Sequence, residues 1–172
     1  TLKVDETSYN SEFEILKNPN FNVSDEDYLD LDKYATHMES NFNEMAKYIN
    51  NNKEVMDKLD ALVKELDENP EVKENGKKLL ELMDNWDKKM MQRMSKAYDD
   101  VENFPNKFLA DYLFILDEIK GDIPNVSEGI LKSLKSHDEK WVELKKEIDQ
   151  INQVNIPEYN KELWSIGIGA LN

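Results

Sequence analysis

The chain has 172 residues, 22 basic and 37 acidic side chains and a net charge of −15, which argues against nucleic acid or an anionic membrane surface as a partner. Its zero cysteines exclude a disulfide framework, a thiolate zinc site and a cysteine nucleophile. Hydrophobic residues make up 39%, enough for a core, while five Gly and five Pro are too few for an all-β fold of many tight turns.

Leu2 and Val4 alternate with polar residues, and so do Phe13 and Ile15. The polar run Asp5-Glu6-Thr7-Ser8 lies between the two pairs, so the pattern predicts a β-hairpin. An isolated hairpin is marginal in water. Residues 1–18 are therefore expected to be the tail of a preceding sheet domain, with a hairpin packed on the helices as the alternative. The opening TLKVDETSYN has neither Met nor a secretory leader, which fits a processed protein or a piece of a longer one. No apolar run approaches the ~20 residues of a membrane span.

Residues 19–172 read as helical. Ser24 before Asp25-Glu26-Asp27 is a capped helix start with acids facing the helix dipole. From Tyr28 to Leu66 apolar positions step by three and four, a heptad seam broken only at Asn52. If unbroken, the helix would run from about Asp25 to Asp67, ~60 Å at 1.5 Å per residue. Any kink or short loop in it is expected at Asn50-Asn51-Asn52. Asn69-Pro70 starts a second helix, whose seam passes Val72, Gly76, Leu79, Met83, Trp86 and Met90, meets Arg93, and fades at Asp99-Asp100. Phe104-Pro105 opens a third and most hydrophobic helix, expected to be the most buried and to end at Gly121. Ser127 caps a fourth, with a seam through Ile130, Leu134, His137, Trp141, Leu144, Ile148 and Ile151. Pro157 opens a short last helix ending near Ser165. The fold class is thus all-α: an antiparallel bundle of about four helices plus a short C-terminal helix, with a small N-terminal β-hairpin.

Motifs for chemistry are missing from this sequence. Neither histidine has Glu three positions before it, which excludes the carboxylate-bridged two-metal bundle pattern. No zinc-protease, calcium-loop, phosphate-loop, dinucleotide or nucleophile-elbow motif occurs. Catalytic, cofactor and metal residues are all expected to be none. His137 on the seam is expected to bond a neighbouring acid, and His37, one place off its seam, to be solvated or at the boundary. The acids at 25, 26, 27, 30 and 32 read as a dipole-matched helix start, and the Met residues at 83, 90, 91 and 94 as core filling. Asn22-Val23-Ser24 and Asn125-Val126-Ser127 fit the glycosylation triplet, but both serines are better explained as caps. The loop before the third helix reads first as a capped helix–helix corner, but it and the chain end are the two places where a ligand or partner would dock if one does. The loop carries Asp100, Glu102, Asn103 and Phe104. The chain end carries Tyr159 and Trp164.

Three segments carry a resemblance: SEFEILKNPN leading into the capped helix, DDVENFPNKFLADYLFIL before a Pro-containing turn, and the ending IPEYNKELWSIGIG. In this order they resemble the C-terminal helical region of large bacterial sortilin-like β-propeller proteins, often labelled glycosyl hydrolases for their Asp-box repeats. In that family an immunoglobulin-like sheet domain precedes the helices and ends in a strand like SEFEIL. The family's usual Asp-Pro-Arg after that strand is Asn18-Pro19-Asn20 here, a change on a surface turn. The resemblance implies a periplasmic, secreted or cell-surface parent whose chemistry lies in the propeller. No Asp-box repeat occurs in these residues, so no catalytic residue carries over. The expected role is a non-catalytic accessory or scaffolding module that packs on other domains of its own parent chain. The alternative is a module for partner binding or self-association, such as a homodimer. An enzyme within these residues is the least favoured reading.

Overall fold

The computed structural model describes residues 1–97, 103–121 and 123–171. Its elements are β1 (Leu2–Val4), β2 (Thr7–Tyr9), α1 (Asp25–Glu65), α2 (Pro70–Met90), α3 (Phe108–Ile119), α4 (Glu128–Gln150) and α5 (Ile156–Ser165). A π-helical turn, Ile151–Asn155, joins the last two. The expected all-α bundle with a small N-terminal hairpin is the architecture formed.

The hairpin is tighter than its sequence pattern predicts. Leu2 pairs with Tyr9, Lys3 with Ser8 and Val4 with Thr7, leaving only Asp5-Glu6 as the turn. Asp5 takes φ +53, a left-handed conformation that short polar side chains tolerate. Thr7 and Ser8 are therefore strand residues, while Phe13 and Ile15 lie in no strand. Residues 1–20 are all exposed and the hairpin packs on no helix, so the alternative of a docked hairpin is not realised.

α1 is held at its start by a reciprocal cap. The Asp27 amide donates to Ser24 Oγ at 3.1 Å, and the Ser24 amide donates to the Asp27 carboxylate at 2.7 Å. The helix runs unbroken through Asn50-Asn51-Asn52, so of the two alternatives the continuous helix is the one formed. Asn52 itself is buried on the seam, where its amide donates to the Met83 carbonyl at 3.2 Å. A side chain that finds a partner across the helix pair has no reason to break its own helix.

α2 ends at Met90, earlier than its seam implies. Met91 is extended, and Met94 is 64% exposed rather than core filling. Arg93 interrupts the apolar pattern because it folds back as a two-point partner of the buried Asp87, at 2.9 and 2.7 Å. α3 begins at Phe108 rather than at Phe104-Pro105. It buries Tyr112, Ile115, Leu116 and Ile119, but Phe114 is 64% exposed, so the most hydrophobic helix is not buried all round.

The last helix is not separate. Backbone angles stay helical from Gln150 to Ile156, and the Ile156 amide reaches back five residues to the Ile151 carbonyl. Pro157 explains the wider turn. It has no amide to donate, and its ring would crowd the carbonyl four residues earlier in a regular helix. α5 then closes with Gly167 at φ +81; its amide donates to the Trp164 carbonyl, and the next amide to that of Leu163.

Side-chain pairings give the directions. Asn52 meets Met83 while Val63 meets Gly76, so α1 and α2 are antiparallel. Trp86 meets Leu144 while Asn75 meets Glu162, so α2 opposes α4 and α5. His37 meets Asp138 while Tyr48 meets Asp149, so α1 and α4 run the same way. The core lies between these rods, with Met38, Met45, Leu59, Met83, Trp86, Tyr112, Leu144 and Leu163 at its centre.

Candidate functional site

Parallel α1 and α4 are bridged by polar side chains. At the level of α3 these form one cluster. The Asp138 carboxylate accepts from three groups: His37 Nε2 on Oδ2 at 2.8 Å, and the Tyr112 hydroxyl and Asn41 amide on Oδ1 at 2.9 and 3.1 Å. The Asn41 amide also donates to the Tyr112 oxygen at 2.9 Å. With Nε2 committed to Asp138, the 3.3 Å approach of Asn41 to that same nitrogen is a contact and not a further bond. Tyr112 is fully buried. Its burial, and the carboxylate it donates to, hold its phenol proton well above the ordinary range. One acid thus ties three helices together.

The ladder continues along the same seam. Glu44 accepts from Trp141 Nε1 at 3.2 Å and from Lys145 Nζ at 2.5 Å. The Tyr48 hydroxyl donates to Asp149 at 2.8 Å. Burial first, then that bond, pushes the Tyr48 pKa up to about 12.

Outside the clasp lies an open groove of about 630 Å³. Lys33, Tyr34 and His37 form its α1 wall, and Leu131, Leu134, Lys135, Asp138, Glu139 and Val142 its α4 wall. Its lining is mainly apolar, with Lys135, Asp138 and Glu139 between Leu131 and Val142 on the α4 side. Val142 is 67% exposed. A second, polar hollow of about 640 Å³ follows further along α1, between Ser40, Tyr48 and Asn152.

His37 is exposed, as expected, and the half-buried His137 does not bond an acid. His37 carries the acid partner. His137 instead donates Nδ1 to the Ser133 carbonyl at 2.8 Å and stacks on Phe108, ring centroids 5.9 Å apart. The signal for the His37 pair is absent from local sequence, because its partner is 101 positions away.

The docking candidates are not brought together. Asp100 and Glu102 lie outside the described residues. Asn103 is exposed and Phe104 half-buried beyond the end of α2. Trp164 is 60% exposed on α5. Tyr159 is a correction: it is buried, with its ring against Gly76 and its hydroxyl unpartnered among the described residues, so it belongs to no surface.

Among the described residues, no group of three or more His, Asp or Glu side chains is placed to hold a metal ion. No described helix is long and apolar enough to cross a membrane. No family model matches the chain, and no curated protein or solved structure matches it.

Proposed function

We propose that this chain is a non-catalytic helical accessory module, a rigid bundle that packs on or spaces other domains of a larger protein. The observation that carries the reading is the N-terminal arm. Leu2, Val4 and Tyr9 are 50–63% exposed, and Phe13, Ile15 and Leu16 are 75–87% exposed. In the hairpin register Leu2, Val4, Thr7 and Tyr9 share one face, so the arm presents an apolar side that the bundle leaves uncovered. Apolar side chains left uncovered on one hairpin face and along the arm after it fit an interaction surface. The resemblance to sortilin-like propeller proteins supplies a natural occupant, the sheet domain that precedes the helices. On this reading the parent is periplasmic, secreted or at the cell surface, and its glycan or ligand chemistry lies outside this chain.

The test separates arm from bundle. Phe13, Ile15 and Leu16 are replaced together by Ser in the full chain, and thermal unfolding is followed by circular dichroism. The expected result is an unchanged midpoint, because these side chains support no helix. In a longer protein that includes the preceding sheet domain, the same change should expose residues 1–18 to hydrogen exchange. A fall in the midpoint of the isolated chain would make the arm part of the bundle core and remove the basis of the reading.

A further inference from the structure

The α4 wall of the groove has a property that does not involve the arm. Leu131, Lys135, Asp138 and Val142 are spaced four, three and four, so they form one stripe of the helix, and all four line the groove. Read in either direction, the stripe has an apolar residue at each end and two opposite charges in the middle. Turned end for end, it complements itself. Leu131 falls opposite Val142, and Lys135 falls opposite Asp138 and the adjoining Glu139.

We propose that this stripe is a dimer interface, on which α4 of a second copy lies antiparallel about a two-fold axis between Lys135 and Asp138. Each Val142, 67% exposed alone, would be covered by Leu131 of the second copy. Each Lys135 would meet Glu139 of the second copy. Lys135 and Glu139 are exposed and have no ion pair among the described residues, so both are free to make the contact. Asp138 adds negative potential there, although its oxygens already accept from His37, Tyr112 and Asn41. The two-fold arrangement is closed, because each patch is its own complement.

The contact is small. From Leu131 to Val142 is about 16 Å along the helix, so the stripe by itself buries less than the roughly 1,200 Å² of a stable interface and makes a weak, transient contact. The two copies also repel through their net charge of −15 each, over a screening distance of about 8 Å at physiological salt. The dimer is therefore concentration-dependent, and its charge pairs set register more than strength.

Sedimentation equilibrium on the full chain at physiological ionic strength tests this. The wild type should dissociate on dilution from about 1 mM. Lys135→Glu and Glu139→Lys should each weaken the dimer about tenfold, because each change acts twice in a two-fold pair. The double reversal should restore wild-type affinity within about threefold. Circular dichroism confirms that these exposed changes leave helicity intact. Register is read by cross-linking, which the absence of cysteine makes clean. Leu131→Cys with Val142→Cys should oxidise to a covalent dimer. Val142→Cys alone should not, since its two copies would lie about 16 Å apart, beyond disulfide reach. A monomer at about 1 mM would overturn the proposal, and so would a double reversal that fails to restore binding. Equally rapid cross-linking of Val142→Cys alone would also overturn it.

Discussion

His37 on α1 and Asp138 on α4 stand 101 positions apart in the chain and 2.8 Å apart in space. This pair, with Tyr112 and Asn41, fixes α3 against both longer helices. Replacing Asp138 by Ala removes the acceptor of the buried Tyr112 hydroxyl, and one of the two acceptors of the half-buried Asn41 amide. Orphaning buried donors costs about 1–3 kcal/mol each, more than the net worth of the bonds themselves. Asp138→Ala should therefore lower unfolding stability by about 2–3 kcal/mol in urea titration. Tyr112→Phe, which removes a donor but leaves the carboxylate satisfied by His37 and Asn41, should cost only about 1 kcal/mol.

The elements of this fold were legible where their causes are local. The Ser24 and Ser127 caps, Pro70 at a helix start and the three-four stepping of α1 all act within a few residues, and each appears in the structure. Three features were not legible. The hairpin turn depends on Asp5 taking a left-handed conformation that its sequence does not demand. The continuity of α1 depends on Met83, 31 positions beyond Asn52. The polar clasp joins residues that become neighbours only after the bundle closes. The docking candidates were chosen for local oddity, and Tyr159 shows the weakness of that criterion. An aromatic near a chain end reads the same in sequence whether it faces solvent or a glycine.

Alkaline pH should weaken the clasped end of the molecule. Tyr48 is pushed up to about 12, and Tyr112 is shifted in the same direction by burial. A raised folded pKa means the stabilisation is complete below the ordinary phenol value of about 10. It is lost as pH rises through the folded value. The free energy of unfolding should fall between about pH 10 and pH 12. In Tyr48→Phe that fall should be shallower, as measured by urea titrations across the range.

Asp87 is 4% exposed and depends on Arg93 for both of its charge-assisted bonds. Removing one partner of a buried pair costs about 3–5 kcal/mol, because a bare charge stays behind. Arg93 is partly open to water, so Arg93→Ala should cost somewhat less, about 2–4 kcal/mol. Removing both charges should be nearer neutral than removing Arg93 alone. The urea midpoints of the single and double variants decide this.

Asn52 satisfies only half of its amide. Its nitrogen donates to the Met83 carbonyl at 3.2 Å, while its oxygen is buried without a partner among the described residues. An apolar side chain of similar size would remove that unsatisfied group. Asn52→Leu should therefore raise stability by about 1 kcal/mol, or about 2–4 °C in a chain of this size. A buried polar residue on a heptad seam also fixes register. The same variant should show broader amide resonances along the α1–α2 contact if register is loosened.

Gly76 and Tyr159 supply the sharpest test of core packing. A Cβ on Gly76 would stand 2.5 Å from the Tyr159 oxygen and 2.7 Å from Val63 Cγ2. In a helix interior Ala is favoured over Gly by about 1 kcal/mol. Overpacking a well-filled site costs about 1–3 kcal/mol and exceeds that gain, so Gly76→Ala should destabilise. The Tyr159 oxygen is itself buried and unpartnered among the described residues. Tyr159→Phe removes both the orphan hydroxyl and the closest clash, and on its own should be neutral or stabilising. Combined with Gly76→Ala it should recover part of the loss, since Val63 still obstructs the new methyl. A thermal-unfolding double-mutant cycle should give a favourable coupling of about 1 kcal/mol. Strictly additive effects would mean that α2 and α5 part to admit the methyl instead.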